Sequence, residues 1–150
     1  MEYIIREGVA EDLAAAHQLV MELALFEKAP KEVITNEAIL REDAFGPRDN
    51  FKLIVACTPD NRVVGICIYY IAYSSWKGKI LFLDDIVITE AYRNKGIGRA
   101  LMHYLFEYCK KENLKQMRWQ VLHWNEDAIR FYESLDAIVD KEWYTCKMNF

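Results

Sequence analysis

A basic segment with two glycines carries the clearest chemical signal in this 150-residue chain: Arg93-Asn94-Lys95-Gly96-Ile97-Gly98-Arg99. It lies between a β-like run and a helical pattern, so its glycines let the backbone approach a ligand while the helix offers unpaired N–H groups to an anion. Its three cations favour a pyrophosphate there. The alternative is a tight turn without a ligand. No Gly-Lys-Ser/Thr ends the segment and Leu101 replaces the third glycine of a dinucleotide fingerprint, so those two cofactor classes are disfavoured.

Two adjacent acids, Asp84 and Asp85, interrupt the apolar run from Lys79 to Thr89. A buried strand normally excludes unpaired carboxylates, so the pair indicates a site. Side chains alternate along a strand, which predicts that Asp84 and Asp85 face away from each other. One of them could take part in proton transfer, through water, while the other caps a backbone group. The alternative, favoured for Asp85, is a pair of acids at a strand edge or bulge that loop amides satisfy.

The elements that must position these residues follow from the spacing of apolar residues. Helices are predicted over 13–26, 36–44, 97–113 and 125–135, and strands over 3–5, 51–57, 63–73, 79–89 and 117–122, with one or two more in 137–150. A turn composition at 59–61 joins the second and third strands as an antiparallel hairpin. Two β-α-β passages follow, which predicts an α/β (α+β) class with a mixed sheet and helices on both faces.

Composition narrows the kind of partner. The chain has 19 Lys+Arg against 23 Asp+Glu, a net charge of -4, and no clustered basic face of the kind that nucleic acids require. A small cationic ligand suits the acidic balance better. No linker or repeat interrupts residues 1–150, so a single domain is expected. No apolar stretch approaches the roughly 20 residues of a membrane span, and no secretory signal opens the chain, so we expect a cytoplasmic protein that does not contact membranes.

The cysteines and histidines show no metal-site or disulfide pattern. Cys57, Cys67, Cys109 and Cys146 lie far apart without a Cys-x-x-Cys pair and are expected to be reduced core thiols. His17, His103 and His123 are scattered, so no metal is predicted.

Residues 93–98 match every fixed position of Arg/Gln-x-x-Gly-x-Gly/Ala, the acetyl-CoA signature of the GNAT family of N-acetyltransferases, which the chain therefore resembles. Residues 22–27, 73–79, 83–86, 124–125 and 131–132 are similar to its diamine (spermidine/spermine) and thialysine acetyltransferase branch, in the same order. The resemblance covers nearly the whole chain. It implies a GNAT fold with a mostly antiparallel sheet of six to seven strands flanked by four helices, and a homodimer.

The resemblance also implies that acetyl-CoA is the cosubstrate. The amides of the basic segment would hold its pyrophosphate, and the preceding strand would offer backbone groups to its pantetheine arm. Tyr132 would protonate the departing CoA thiolate, a task that suits a phenol with an ordinary pKa near ~10, and it shares a helix face with Asn125, seven residues earlier. Packing is the alternative role for Tyr132. The cofactor-binding residues implied are Ile86, Val87, Ile88, Arg93, Asn94, Lys95, Gly96, Ile97, Gly98, Arg99, Asn125, Asp127 and Tyr132.

The amine pocket implied by the resemblance is lined by Phe26, Glu27, Ser74, Trp76, Asp84 and Asp85. A carboxylate beside aromatic faces suits an alkylammonium. Polyamine-acetylating relatives tend to have an acid where this chain has Ser74, whereas Ser74 and Lys28 both resemble the thialysine type. Relatives usually carry Glu-Asp where this chain has Asp84-Asp85, and Gly where it has Asp136, which must then tolerate a left-handed conformation.

The preferred function is therefore an enzyme, an acyltransferase that moves an acetyl group to a small primary amine by direct attack in a ternary complex, with Tyr132 and Asp84 as catalytic residues. A polyamine, an amino sugar or a protein N-terminus is the alternative acceptor. A non-catalytic acyl-CoA-binding sensor is the alternative from another class.

Overall fold

Nine regular elements form in the computed structural model, which describes residues 1–150. They are β1 (Ile4–Glu7), α1 (Leu13–Phe26), α2 (Glu37–Phe45), β2 (Lys52–Cys57), β3 (Val63–Ser74), β4 (Gly78–Ile88), α3 (Ile97–Lys111), β5 (Met117–Arg118) and α4 (Glu126–Glu133). Short 3₁₀ turns occur at Ala10–Asp12, Pro30–Glu32 and Glu90–Tyr92. The chain divides into two compact units, Met1–Trp119 and Gln120–Phe150. The first unit contains the whole sheet.

The sheet runs in chain order, β1-β2-β3-β4-β5, and is antiparallel except for the parallel pair β4–β5. This confirms the mixed, mostly antiparallel class and the β2–β3 hairpin. The predicted count of six to seven strands is wrong, because the sheet has five. Residues 137–150 form no strand, and the last strand stops at Arg118 instead of continuing to 122. These segments have a strand-like composition, but a strand forms only where another strand pairs with it.

Helices cover both faces of the sheet in the first unit. On one face α1 and α2 bury Leu13, Ala16, Leu19 and Leu40 against alternate residues of β2, β3 and β4, among them Val55 and Ile66. On the other face α3 lies over Gly65, where a Cβ atom would be only 3.4 Å from side-chain carbons of Ile97 and Leu101. The absence of a side chain at Gly65 therefore lets α3 approach the sheet closely.

The second unit contains α4 and the carboxyl-terminal segment. The Asn125 side chain accepts a hydrogen bond from the Ala128 N–H (3.3 Å) and so caps α4. The helix ends at Glu133, and in the turn that follows Asp136 has a φ of 63°, which confirms the expected left-handed conformation. The Asp136 and Ala137 N–H groups bond to carbonyls of Glu133 and Tyr132, which satisfies the helix end.

Cys57, Cys67 and Cys109 are buried free thiols, as expected, whereas Cys146 is exposed. The expectation of a core position for Cys146 was wrong because it depended on a strand that does not form. No helix of the structure combines the length and apolar character needed to cross a membrane.

Three hydrogen bonds to the Asp12 carboxylate, two of them from an ion pair with Arg6, connect the start of α1 to β1. Asp12, only 5% exposed, accepts two hydrogen bonds from the Arg6 guanidinium (2.7 and 3.0 Å) and one from the Val9 N–H (2.8 Å). Burial raises the pKa of Asp12, but these hydrogen bonds and the Arg6 charge lower it more, so its pKa lies below the ordinary value. The carboxylate is therefore stabilising only where it is ionised.

We predict that Asp12→Asn lowers the free energy of unfolding by about 1–3 kcal/mol at pH 7, because Arg6 loses its counter-ion in a largely buried place. The loss should shrink as the pH falls through the Asp12 pKa, since the wild-type carboxylate then protonates as well. Urea unfolding at pH 7 and pH 3 measures both effects. Asp49→Asn is the matched control: its pair with Lys52 is 2.6 Å long but half exposed, so less than about 1 kcal/mol should be lost. Equal losses in both variants would contradict the prediction.

Candidate active site

The basic loop of residues 93–99 leads into α3 without a capping side chain. Gly96 is the N-cap of α3, with φ of 83°, and no side chain accepts a hydrogen bond from the first turn. A Cβ at Gly96 would meet no atom within 4 Å, so the glycine is needed for its left-handed backbone and not for lack of space. Ile97, 1% exposed, anchors the helix start in the core, while Asn94 also has a positive φ of 59°. The first N–H groups of α3 therefore remain available to an anion.

The cations of this loop are held by its own backbone and by one aromatic ring. The Arg93 Nε atom donates a hydrogen bond to the Ile88 carbonyl (3.0 Å), and the Lys95 Nζ atom donates to the Ala91 carbonyl (2.9 Å). The Lys95 Nζ atom also lies 5.1 Å from the centre of the Tyr92 ring. Arg99, like the rest of the loop except Ile97 and half-buried Gly98, is exposed. The positive charge of the loop is thus fixed around the start of α3.

Sequence reasoning missed Arg62. It belongs to the β2–β3 turn, donates a hydrogen bond to the Tyr92 hydroxyl, and holds its guanidinium carbon 5.2 Å from the Tyr92 ring centre. The predicted hairpin contained the signal, because antiparallel pairing brings the start of β3 beside the end of β4: Gly65 is opposite Ile88. A fourth cation therefore lies beside the basic loop.

One edge of β4 has no strand partner over the residues expected to bind the pantetheine arm. The β4–β5 ladder pairs only Leu81 with Met117 and Phe82 with Arg118. On its other side, β4 remains paired with β3 through Ile86, Val87 and Ile88. The edge of β4 from Leu83 to Ile88 can therefore receive an extended ligand as a strand would.

A β-bulge lies at Asp84, and it overturns the predicted alternation of the two acids. Asp85 is opposite Ile68 and Leu83 is opposite Tyr69, so Asp84 has no partner residue of its own. Phe82, opposite Tyr70, and Asp85, opposite Ile68, consequently share the face that α1 covers, although three positions separate them. The extra residue removes one alternation, so we infer that both carboxylates point to that face and not to opposite ones.

Three carboxylates on this face have raised pKa values, and burial is the largest cause for each. Burial raises the pKa of Asp85 to about 7, helped by the charges of Asp84 and Glu27. Burial also raises the pKa of Glu27, with a contribution from Asp84, and burial alone raises that of Asp84. No salt bridge or amide hydrogen bond neutralises Asp84 or Asp85, so the alternative in which loop amides satisfy them is not observed. A group with a pKa near neutrality suits proton transfer from an ammonium.

Glu27 and Phe26 lie at the carboxyl-terminal end of α1. Glu27 is the C-cap and is half-buried, and Phe26, with 47% of its surface exposed, is the last helical residue. The negative end of the helix dipole adds to the carboxylate charge and favours a cation there. Lys28 follows with a φ of 63°. Glu27 thus lies close enough to Asp84 and Asp85 for their charges to influence one another's environment, since Asp84 contributes to the raised pKa of Glu27 and Glu27 to that of Asp85.

Ser74 and Trp76 lie elsewhere, at the β3–β4 turn. Ser74 is buried, and its hydroxyl accepts hydrogen bonds from the Trp76 and Lys77 N–H groups (both 3.2 Å). Trp76 is 82% exposed. Ser74 is opposite Gly78, five positions along the ladder from Tyr69, which at ~3.3 Å per residue is roughly 17 Å from the bulge. Within one chain these residues do not join the acid cluster.

The second unit contains three further residues that are predicted to bind the cofactor, Asn125, Asp127 and Tyr132. The Asn125 side chain is used as the cap of α4, and Asp127 pairs with Arg130 at the surface. Tyr132 is 8% exposed and its ring lies 5.5 Å from that of Phe131. Tyr132 is thus a buried phenol on a short helix, and α4 has no other buried side chain.

We predict that Asp85→Asn stabilises the protein relative to wild type more at pH 8 than at pH 5. The folded wild type keeps a proton on Asp85 that the unfolded chain releases, so this carboxyl lowers the free energy of unfolding as the pH rises from about 4 to 7. The relative gain between pH 5 and 8 should be at most about 3 kcal/mol. Urea unfolding at both pH values measures it. Asp60→Asn is the control, because a hydrogen bond from Thr58 lowers the pKa of exposed Asp60. A difference independent of pH would contradict the prediction.

Known proteins match this arrangement over nearly the full chain. Thialysine N-epsilon-acetyltransferase from Bos taurus is 34% identical over 95% of this chain and 89% of that protein. Spermidine/spermine N(1)-acetyltransferase-like protein 1 from Homo sapiens is 31% identical over 99% of this chain, which spans 23% of that longer protein. A possible acetyltransferase from Clostridium difficile 630 superposes with a TM-score of 0.79, at 26% identity and full coverage of both chains.

The family model described as Acetyltransferase (GNAT) family matches residues 13–136, which includes α1, the bulged strand, the basic loop and α4. The fold, the uncapped glycine start of α3 and the relatives agree. This chain belongs to the GNAT acetyltransferase family, and it is an acyltransferase.

Proposed function

We propose that the enzyme transfers the acetyl group of acetyl-CoA to a small primary amine, lysine-like (thialysine) or a diamine, by direct attack in a ternary complex. The observation that carries the proposal is the free edge of β4, which runs from the bulge at Asp84 to Ile88, close to the uncapped start of α3. An anion site, a strand edge and an acid cluster thus follow one another along one strand. This order matches a ligand with a phosphate end, an extended arm and a reactive end near the acids.

The residues present fit acetyl-CoA. The α3 N–H groups and the cations Arg93, Lys95 and Arg99 suit its pyrophosphate, while backbone groups of Ile86, Val87 and Ile88 suit its amide arm. In the second unit, Asn125 and Asp127 at the start of α4 are proposed as further cofactor contacts.

The acid cluster prepares the amine. Asp84, with Asp85 as its partner, takes the proton from the bound ammonium, directly or through water, so that a neutral nitrogen attacks the thioester carbon. The pKa of Asp85, about 7, lets the pair hold or release a proton near neutrality. Tyr132 gives its phenolic proton to the departing thiolate, which leaves as the thiol.

A short amine fits better than a long polycation. Glu27, Asp84 and Asp85 supply negative charge over a small region, and Phe26 adds an exposed aromatic face. Ser74 supplies no charge, since its hydroxyl is used by turn amides. The 34% identity to a thialysine acetyltransferase supports the same choice.

We further propose that residues 1–150 act as a single domain in a cytoplasmic homodimer. The match to the family model supports the first point because residues 13–136 cross the boundary between the two compact units. A dimer would also give the exposed aromatic residues Tyr73, Trp76 and Trp143 a surface to cover.

Thiol release from acetyl-CoA is the test of the reaction. Thialysine, lysine or a diamine should give turnover, and spermine, an amino sugar and an N-terminal peptide test the alternative acceptors. Tyr132→Phe should lower kcat by about 100-fold or more, because no other phenol protonates the thiolate, with little change in acetyl-CoA affinity. Tyr144→Phe, at a residue 94% exposed, is the matched control and should be fully active. Acetyl-CoA binding without turnover on any amine would instead support the sensor.

Acetyl-CoA affinity tests the basic loop. Gly96→Glu should weaken binding more than about tenfold, because it places a carboxylate at the proposed pyrophosphate site. Gly78→Glu is the matched control: Gly78 has a φ of 79° and open space around it, like Gly96, but lies in the β3–β4 turn. Isothermal titration should show unchanged affinity for the Gly78 variant. Equal affinity in both variants would refute the assignment of the loop.

A further inference from the structure

Arg62 is a cation that the proposed catalytic scheme does not use. It comes from the β2–β3 turn, yet its guanidinium is hydrogen-bonded to the hydroxyl of Tyr92, which precedes the basic loop. The Arg62 guanidinium carbon and the Lys95 Nζ atom lie 5.2 and 5.1 Å from the centre of the same ring. Two segments distant in sequence therefore place two cations around one half-buried aromatic side chain.

The two cations form a small positively charged surface beside the start of α3. The Arg62 guanidinium carbon and the Lys95 Nζ atom lie 5.2 and 5.1 Å from one ring centre, so they are at most about 10 Å apart, close to the distance over which physiological salt screens exposed charges. After the hydrogen bond from Thr58, the charge of Arg62 helps to lower the pKa of exposed Asp60, but no salt bridge forms between the two residues. An anion bound between the two cations would interact favourably with both.

The position of the cluster indicates which anion. The start of α3 already offers N–H groups to a pyrophosphate, and Lys95 belongs to that loop. Arg62 approaches from the neighbouring turn, next to the end of β4. CoA carries one further phosphate, a monoester on its ribose, and an arginine fork matches such a dianion well.

We propose that Arg62, held in place by Tyr92, forms with Lys95 a subsite for the 3′-phosphate of CoA, an inference that rests on the proposed use of acetyl-CoA. Arg62 is then a specificity-determining residue that distinguishes acetyl-CoA from its 3′-dephospho form. It is exposed and lies outside the acid cluster, so its loss leaves the fold and the chemistry of the amine intact.

The test compares the dissociation constants of acetyl-CoA and 3′-dephospho-acetyl-CoA by isothermal titration. Wild type should bind acetyl-CoA about tenfold or more tightly, the difference expected for one charge-assisted phosphate contact. Arg62→Gln should lose most of this preference by binding acetyl-CoA more weakly, because only Lys95 then remains in the subsite, while its affinity for the dephospho form should stay that of wild type. Arg48→Gln, which neutralises another exposed arginine before β2, is the matched control and should keep the wild-type discrimination.

Three results would overturn the subsite. They are equal affinity of wild type for both thioesters, full discrimination by Arg62→Gln, and an equal loss of affinity for both thioesters in Arg62→Gln, as a contact to the pyrophosphate would give. The proposed function fails separately, and the subsite with it, if wild type binds neither thioester. Unchanged thermal unfolding of Arg62→Gln verifies that a loss of discrimination is not a loss of fold.

Discussion

The early end of the β4–β5 ladder is the constraint on which the candidate site depends. Only two residue pairs connect these parallel strands, and β4 then continues for six residues with a partner on one side only. A free strand edge exposes N–H and C=O groups that need partners, so it favours any extended chain that can supply them. In this protein the same edge begins at a bulge that carries two acids and ends close to a helix start without a side-chain cap.

The bulge explains how a strand of the sheet tolerates adjacent aspartates. In a regular strand one of them would face the side that α3 covers, where ionisation would be strongly unfavourable. With the extra residue at Asp84, we infer that both turn toward the end of α1, where Asp84 reaches the solvent although its carboxylate is partly desolvated. Ionisation of Asp85 is still unfavourable, because burial raises its pKa. The fold therefore concentrates negative charge at a partly open place, where a substrate ammonium can offset it.

Local sequence patterns were sufficient to predict most helices and strands. The remaining features depend on which strands pair with each other, and in which register. The 3.6-residue periodicity of α1 and α3, the Asn36 cap and the β2–β3 hairpin are set by nearby residues, so the sequence was sufficient for them. Residues 137–150 have strand-like composition, but a strand also needs a partner at the right register, which is a non-local property. The bulge at Asp84 depends on register in the same way. The glycine-bearing helix start and the adjacent acids could therefore be located from the sequence, but the direction of Asp84 and Asp85 and the approach of Arg62 could not.

The net charge of -4 conceals a polarised sheet edge. Asp84 and Asp85 lie at one end of the free β4 edge with Glu27 beside them, and Arg62, Lys95 and the α3 start lie near the other. Opposite charges separated along one strand favour one orientation of a ligand whose anionic end faces the cations and whose other end lies beside a cationic second ligand. In the proposed complex this polarity would fix the direction of binding, because the reverse orientation would place phosphate beside carboxylates and ammonium beside arginine. The β4 backbone between the acids and the cations carries no net charge. It can therefore pair with an uncharged arm of a ligand without attracting either charged end.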